Sequence, residues 1–281
     1  MQWFPHVFNP YLTMPHMEND QQPNTGTPRE KRKENPVLSF LSKNVLKPID
    51  QALVGLLNVV QQAGMGESVQ YPHYLNTDAF WHSIMTQLFN FEILGSENIP
   101  PQGTGALVVV NHSGMLDPFI MGVSVAHHSR RKVFISGKSE IFDTPLANAY
   151  FRWIYGFPIH RGEHDEEAYT FALEHIRKGE LVGMFPEGTF NNGGTDFLPA
   201  RSGAIRLAIE GNVPILPLGV SGSDRIMGRG MNTPRMNARL VARFGELIPV
   251  HEKYKGKVPD RDTMRVEMDA VMEKIKGLLV Y

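Results

Sequence analysis

The sequence predicts an α/β protein: a mostly parallel mixed sheet flanked by helices, preceded by an N-terminal amphipathic helical segment. Three observations carry this. Seven short apolar runs recur between residues 91 and 244. Helical stretches separate most of them, and such alternation favours parallel strands covered by helices. A polar, proline-rich N-terminal stretch stands apart in composition from all that follows.

Residues 1–36 hold six of the twenty prolines and the polar run NDQQPNTGTPREKRKENP. Such a composition buries too little apolar surface to offset its ordering entropy, so this segment is expected to be a disordered tail. Trp3, Phe4, Phe8 and Tyr11 at its start suit a lipid interface as well as a free tail. In 37–62, Leu38, Leu41, Val45, Ile49, Leu53, Leu56 and Val60 recur at helical spacing. Pro48 is expected to kink or split that helix, and Gly64 and Gly66 to end it. A second amphipathic helix is predicted over about 78–90, with Asp78 as N-cap and Phe80, Trp81, Ile84, Met85, Leu88 and Phe89 as its apolar set. The segment 37–90 either docks on a membrane or packs on the body of the protein.

From 91 to 281 a single α/β domain is expected. Its strands are placed at Phe91–Leu94, Ala106–Val110, Lys132–Ser136, Phe157–His160, Leu181–Phe185, Val213–Leu218 and Leu240–Phe244. Its helices are placed at about 117–128, 140–153, 164–178, 200–210 and 262–278.

Bulk properties remove whole classes of function. Of 281 residues, 28 are basic and 29 acidic, so no global nucleic-acid footprint exists. There is no cysteine, which excludes disulfides, thiolate nucleophiles and cysteine metal sites. Mean hydropathy is −0.24 and no apolar run reaches the ~18 residues of a membrane span. Without a signal-peptide pattern, a soluble or peripherally bound intracellular protein is expected.

Several fragments fail on context. Gly137-Lys138-Ser139 lacks the upstream glycine of a P-loop, that position being Lys132. Gly103-Thr104-Gly105 fails as a dinucleotide fingerprint because position 108 is Val108. Gly219 to Ser223 is not a nucleophile elbow, since its fifth residue is serine. His160 and His164 lack a third ligand at metal spacing. No metal and no cofactor are expected.

Three segments survive: NHSGMLD (Asn111 to Asp117), GFPIHR (Gly156 to Arg161) and FPEGT (Phe185 to Thr189). Each lies at the C-terminal end of a predicted strand, the edge where ligands bind open α/β sheets. A histidine, here His112, can take a proton from an alcohol near neutral pH. Asp117 on its other ring nitrogen would fix the tautomer. Asp117-Pro118 equally matches an N-cap followed by proline, and both readings stay open. The spacing itself is weak evidence, because it also occurs at His73–Asp78, in what reads as a polar linker, and at His160–Asp165. Arg161 suits a bidentate phosphate clamp or a surface ion pair. Pro186 and Gly188 mark a tight turn, and Glu187 suits a hydroxyl or an arginine better than a phosphate.

Taken in order, these segments resemble the glycerolipid acyltransferase family, the glycerol-3-phosphate and 1-acylglycerol-3-phosphate acyltransferases. NHSGMLD, GFPIHR, FPEGT and VPILPLGVSG stand in family order from about Phe91 to Ser221. The resemblance implies acyl transfer from an acyl thioester, acyl-CoA or acyl carrier protein, to a lysophospholipid or glycerol-phosphate hydroxyl. It makes His112 the base and Asp117 its partner. It places Asn111, Arg161, Glu187, Gly188 and Thr189 at the substrate. The third block departs from the family where arginine usually follows the threonine. Here that residue is Phe190, followed by NNGGTDF, and Arg201 is left to supply the charge. An acceptor without a free phosphate, or a lipid-binding protein without activity, is the alternative. An amphiphilic substrate implies a cytoplasmic enzyme associated peripherally with a membrane surface.

Overall fold

A computed structural model describes residues 41–160, 165–231, 233–236 and 238–280. The tail 1–36 and Arg161 lie outside the described residues.

Seven strands form one sheet: β1 Glu92–Leu94, β2 Ala106–Val110, β3 Val133–Lys138, β4 Gly156–Ile159, β5 Leu181–Met184, β6 Ile215–Ser221 and β7 Val241–Phe244. Their spatial order is β1-β7-β6-β2-β5-β3-β4. Neighbours run parallel except β6 and β7, which pair antiparallel with Leu218 opposite Phe244. All seven predicted strands are present. Parallel strands covered on both faces consist almost wholly of apolar residues, and that made them visible as runs. In β2, Leu107 and Val109 enter one core layer, while Ala106, Val108 and Val110 enter the other, as the two-residue pleat requires.

The helices divide between the two faces. α1 (Lys47–Gln62), α2 (Gly66–Phe89) and α3 (Asp117–Ser129) precede or follow the first strands. α3 packs Ile120 and Met121 against the layer that holds Val108, and Met85 and Phe89 of α2 join them there. Two short helices, α4 (Ser139–Phe142) and α5 (Ala147–Trp153), lead into β4. α6 (Glu166–Arg177), α7 (Gly203–Gly211) and α10 (Arg261–Leu278) cover the opposite face through Phe171, Ile205 and Met268. α8 (Ser223–Met227) and α9 (Val250–Tyr254) are single turns that the sequence did not announce.

The N-terminal expectations need three corrections. A π-helical turn, Ser42–Leu46, precedes α1, and Pro48 sits in the first turn of α1, where its missing N–H costs nothing. Gly64 ends α1 at φ +69°, but Gly66 starts α2 rather than ending anything. Asp78 is not an N-cap. It lies in the middle of α2, buried, so His73–Asp78 belongs to a helix rather than a linker. The helix predicted over 140–153 is also two helices, broken where Leu146 takes φ +68°.

α1 and α2 do pack on the body. The buried carboxylate of Asp50 accepts the amides of Leu146 (2.9 Å) and Ala149 (2.8 Å) and the side chain of Asn148 (2.9 Å), tying α1 to α5. Leu57 and Val60 of α1 are buried, whereas Leu53, Leu56 and Val59 remain exposed. One face is thus docked and the other bare.

Candidate active site

Three adjacent strands, β6, β2 and β5, end side by side and bring their following loops together. Val109 pairs with Met184 on one side and with Pro217 on the other. Residues 75 and 106 positions apart therefore meet at one edge.

The strand β2 runs into Asn111 and His112. Asn111 is fully buried. Its side chain donates to the Val220 carbonyl (2.9 Å) and accepts the Val220 amide (2.8 Å), strapping β2 to β6. These bonds give Asn111 a structural role beside its expected place at the substrate. His112 Nδ1 lies 2.9 Å from Asp117 Oδ2. The same oxygen accepts the amides of Ser113 (2.7 Å) and Gly114 (2.8 Å), and Asp117 Oδ1 accepts the hydroxyl of Ser223. An N-cap carboxylate accepts from N–H groups two or three residues ahead of it. Asp117 instead turns back to the loop behind it and makes no cap bond, so the N-cap alternative falls. Both residues are shielded, His112 at 5% exposure and Asp117 at 0%. Phe185 stacks on the imidazole at 4.2 Å and 26°, and Phe190 meets it edge-on at 4.5 Å and 81°. With Nδ1 engaged, Nε2 is the nitrogen left for chemistry.

Glu187 is also turned inward. Its Oε1 accepts the His112 amide (2.7 Å) and the Asn191 side chain (3.1 Å), and its Oε2 accepts the Leu198 amide (2.7 Å). Among the described residues it holds no arginine, and it braces the backbone of His112 rather than presenting a free carboxylate. Burial pushes its carboxyl above the usual carboxylate range, and these donors pull against that shift. Asn191, fully buried, closes the brace by donating its amide to the His112 carbonyl at 2.7 Å.

The turn after β5 places Gly188 at φ +69°, and a Cβ there would lie 3.5 Å from Arg201 Nε. The exposed guanidinium of Arg201 thus sits over the FPEGT turn, with no ion pair among the described residues. Thr189 is exposed beside it. β4, the strand leading to Arg161, is at the sheet edge, separated from β2 by β3 and β5. His160–Asp165 does form a contact, Nδ1 to Oδ2 at 3.1 Å, but in the open.

Sequence reasoning missed Phe185, Asn191 and Ser223 as parts of this network. Asn191 carried a faint signal, a polar residue in a loop of glycines. Ser223 carried none, since nothing local links it to Asp117.

Residues 90–221, which span β1 to β6 and the loops after β2, β4 and β5, match the model of the Acyltransferase family. That match takes in just under half of the chain. A 1-acyl-sn-glycerol-3-phosphate acyltransferase of Bacillus subtilis (strain 168) is 24% identical over 190 residues, 66% of this chain and 87% of that protein. A chloroplastic 1-acyl-sn-glycerol-3-phosphate acyltransferase of Brassica napus is 29% identical over 153 residues, 53% of this chain and 43% of that protein. The crystal structure of the 1-acyl-sn-glycerophosphate (LPA) acyltransferase PlsC from Thermotoga maritima shares the fold. Its TM-score is 0.60 at 21% identity, covering 84% of this chain and 96% of that chain.

Proposed function

We propose that this acyltransferase moves a fatty acyl group from an acyl thioester, acyl-CoA or acyl carrier protein, to the free hydroxyl of 1-acylglycerol-3-phosphate. The observation that carries the reading is the dry His112–Asp117 pair, whose carboxylate receives donors at both oxygens. In the reaction Asp117 holds the tautomer with hydrogen on Nδ1, and Nε2 takes the acceptor's hydroxyl proton. The hydroxyl oxygen attacks the thioester carbonyl. The tetrahedral intermediate then expels the thiolate, which regains the proton from the imidazolium and leaves as thiol. The attacking group belongs to the substrate, so no side-chain nucleophile is needed. The exposed cation Arg201, and Arg161 at the end of its segment, supply charge for the acceptor phosphate. The thioester carries the activated acyl group, so no further cofactor enters.

Product and acceptor are amphiphiles, and the enzyme meets them at a membrane surface. Leu41, Val45, Ile49, Leu53 and Leu56 are exposed at helical spacing along α1 and the turn before it, with Lys43 and Lys47 among them. A bare apolar face beside lysines suits the plane of a bilayer interface. Among the described residues, no helix is long and apolar enough to cross a membrane.

The test is an acceptor and donor panel read by product mass spectrometry. Phosphatidate formed from lysophosphatidate, with one thiol released per acyl group, is expected. Transfer to an acceptor without phosphate would redirect the reading. Fatty acid released without acceptor would make it a hydrolase, and no thioester consumption would make it a lipid-binding protein.

A further inference from the structure

Ser223, the first residue of α8, belongs to no motif and to no step above. Its side chain is fully buried, and its hydroxyl touches two groups, Asp117 Oδ1 and Ser113 Oγ, the latter at 3.1 Å. An ionised carboxylate only accepts, so the one hydroxyl proton of Ser223 goes to Asp117. Ser113 must then donate to Ser223. The result is a directed chain, from the Ser113 hydroxyl to the Ser223 hydroxyl to Asp117, which in turn holds the His112 ring.

The backbone is shaped to permit this contact. Gly222 takes φ +92°, and a Cβ there would strike the Arg239 carbonyl at 2.0 Å. A Cβ on Gly114 would lie 2.6 Å from both the carbonyl oxygen and the hydroxyl of Ser223. The loop after β2 and the turn after β6 therefore approach through glycine. An antiparallel bridge between Gly114 and Gly228 and the Met115 amide on the Met227 carbonyl (2.9 Å) close the join.

The imidazole and the amides of Ser113 and Gly114 all load one oxygen of Asp117. Bonds at a single oxygen leave the carboxylate free to pivot about it. The Ser223 bond at the second oxygen removes that freedom. We infer that Ser223 is a positioning residue for the transfer reaction. It fixes the carboxylate plane so that Oδ2 stays aimed at His112 Nδ1, and segment 222–228 thereby orients the base. This rests on the role proposed for His112.

The experiment compares Ser223→Ala, Ser223→Thr and Ser113→Ala with wild type. It uses steady-state acyl transfer and 15N-histidine NMR of the His112 Nδ1–H in substrate-free protein. For Ser223→Ala, kcat is expected to fall by about 10–100-fold, the usual cost of losing an outer-shell partner. KM stays within about twofold, and the Nδ1–H resonance leaves its wild-type position. Ser223→Thr, which keeps the hydroxyl, restores both. Ser113→Ala leaves the Ser223–Asp117 bond in place and moves both in the same direction by less, so it carries the test if Ser223→Ala does not fold. The NMR arm needs no turnover and is read whether or not the proposed reaction holds. An unmoved resonance overturns the inference, whether kcat stays at the wild-type level or falls.

Discussion

Two loops of this molecule carry the same pattern, histidine and aspartate five apart, and both close the same bond. In one, His112 Nδ1 meets Asp117 Oδ2 at 2.9 Å with side-chain exposures of 6% and 0%. In the other, His160 Nδ1 meets Asp165 Oδ2 at 3.1 Å with exposures of 57% and 9%. Asp165 spends its other oxygen on the Ala168 amide and is the N-cap of α6. Asp117 spends nothing on its own helix and collects donors from the loop behind it and from a serine 106 residues away. Spacing produces the bond in both places. Only convergence of three strand ends removes water from one of them, and an orienting carboxylate is worth far more in a dry site than in water.

The largest separation between the two loops should come from replacing each histidine. His112→Ala is expected to lower the turnover number by about 10²–10⁴-fold, the contribution typical of a positioned base. His160→Ala should leave it within about twofold. Thioester consumption by folded variants checks both, and equal losses would erase the distinction between the loops. Next in size is Asp117→Asn, which keeps the shape but places an amide where donors converge. Roughly 10²-fold or more of the rate should go with it, with the acceptor KM little changed. Asp165→Ala reverses the kind of effect. It removes a cap worth about 1 kcal/mol, so the thermal midpoint should drop by roughly 2–4 °C while the rate holds. A rate loss in Asp165→Ala without loss of stability would assign that loop to the site.

Much of this was legible before any coordinates. The strands were read because each is buried on both faces and therefore unbroken by polar residues. His112 was set apart from the other histidines by a strand before it and a helix after it. What stayed hidden depended on distance along the chain or on polar residues in apolar company. α2 begins twelve residues before its predicted start, because Gln70 and Asp78 interrupt its buried stripe and Pro72 sits within it. Asn111 and Glu187 were read as facing a ligand. Their actual partners, Val220 and the amides of His112 and Leu198, become neighbours only when β5, β2 and β6 align. Ser223 was invisible for the same reason.

A third copy of the spacing, His73–Asp78, supplies the smallest and most discriminating test. Both residues lie on α2, where five positions put them about 140° apart, and they do not meet. His73 packs on Trp153 instead. Asp78 is buried with Oδ1 unpartnered among the described residues. Burial pushes its carboxyl up to about 7, and the charge of Arg130 opposes this only in part. The sign follows from linkage. Between its unfolded value, near 3.9, and about 7, the folded chain keeps a proton that the unfolded chain has lost. This group's contribution to stability is then full below about pH 4, declines as pH rises, and is gone above about 7. Asp78→Asn cannot ionise. Its thermal midpoint should match wild type near pH 4, exceed it progressively to pH 7, and hold its full lead beyond. A lead that is constant across pH would mean that folding leaves this carboxyl unshifted, and a lead largest in acid would mean that Asp78 is ionised in the fold and receives donors as Asp117 does. Three aspartates at one spacing would then differ in less than their surroundings imply.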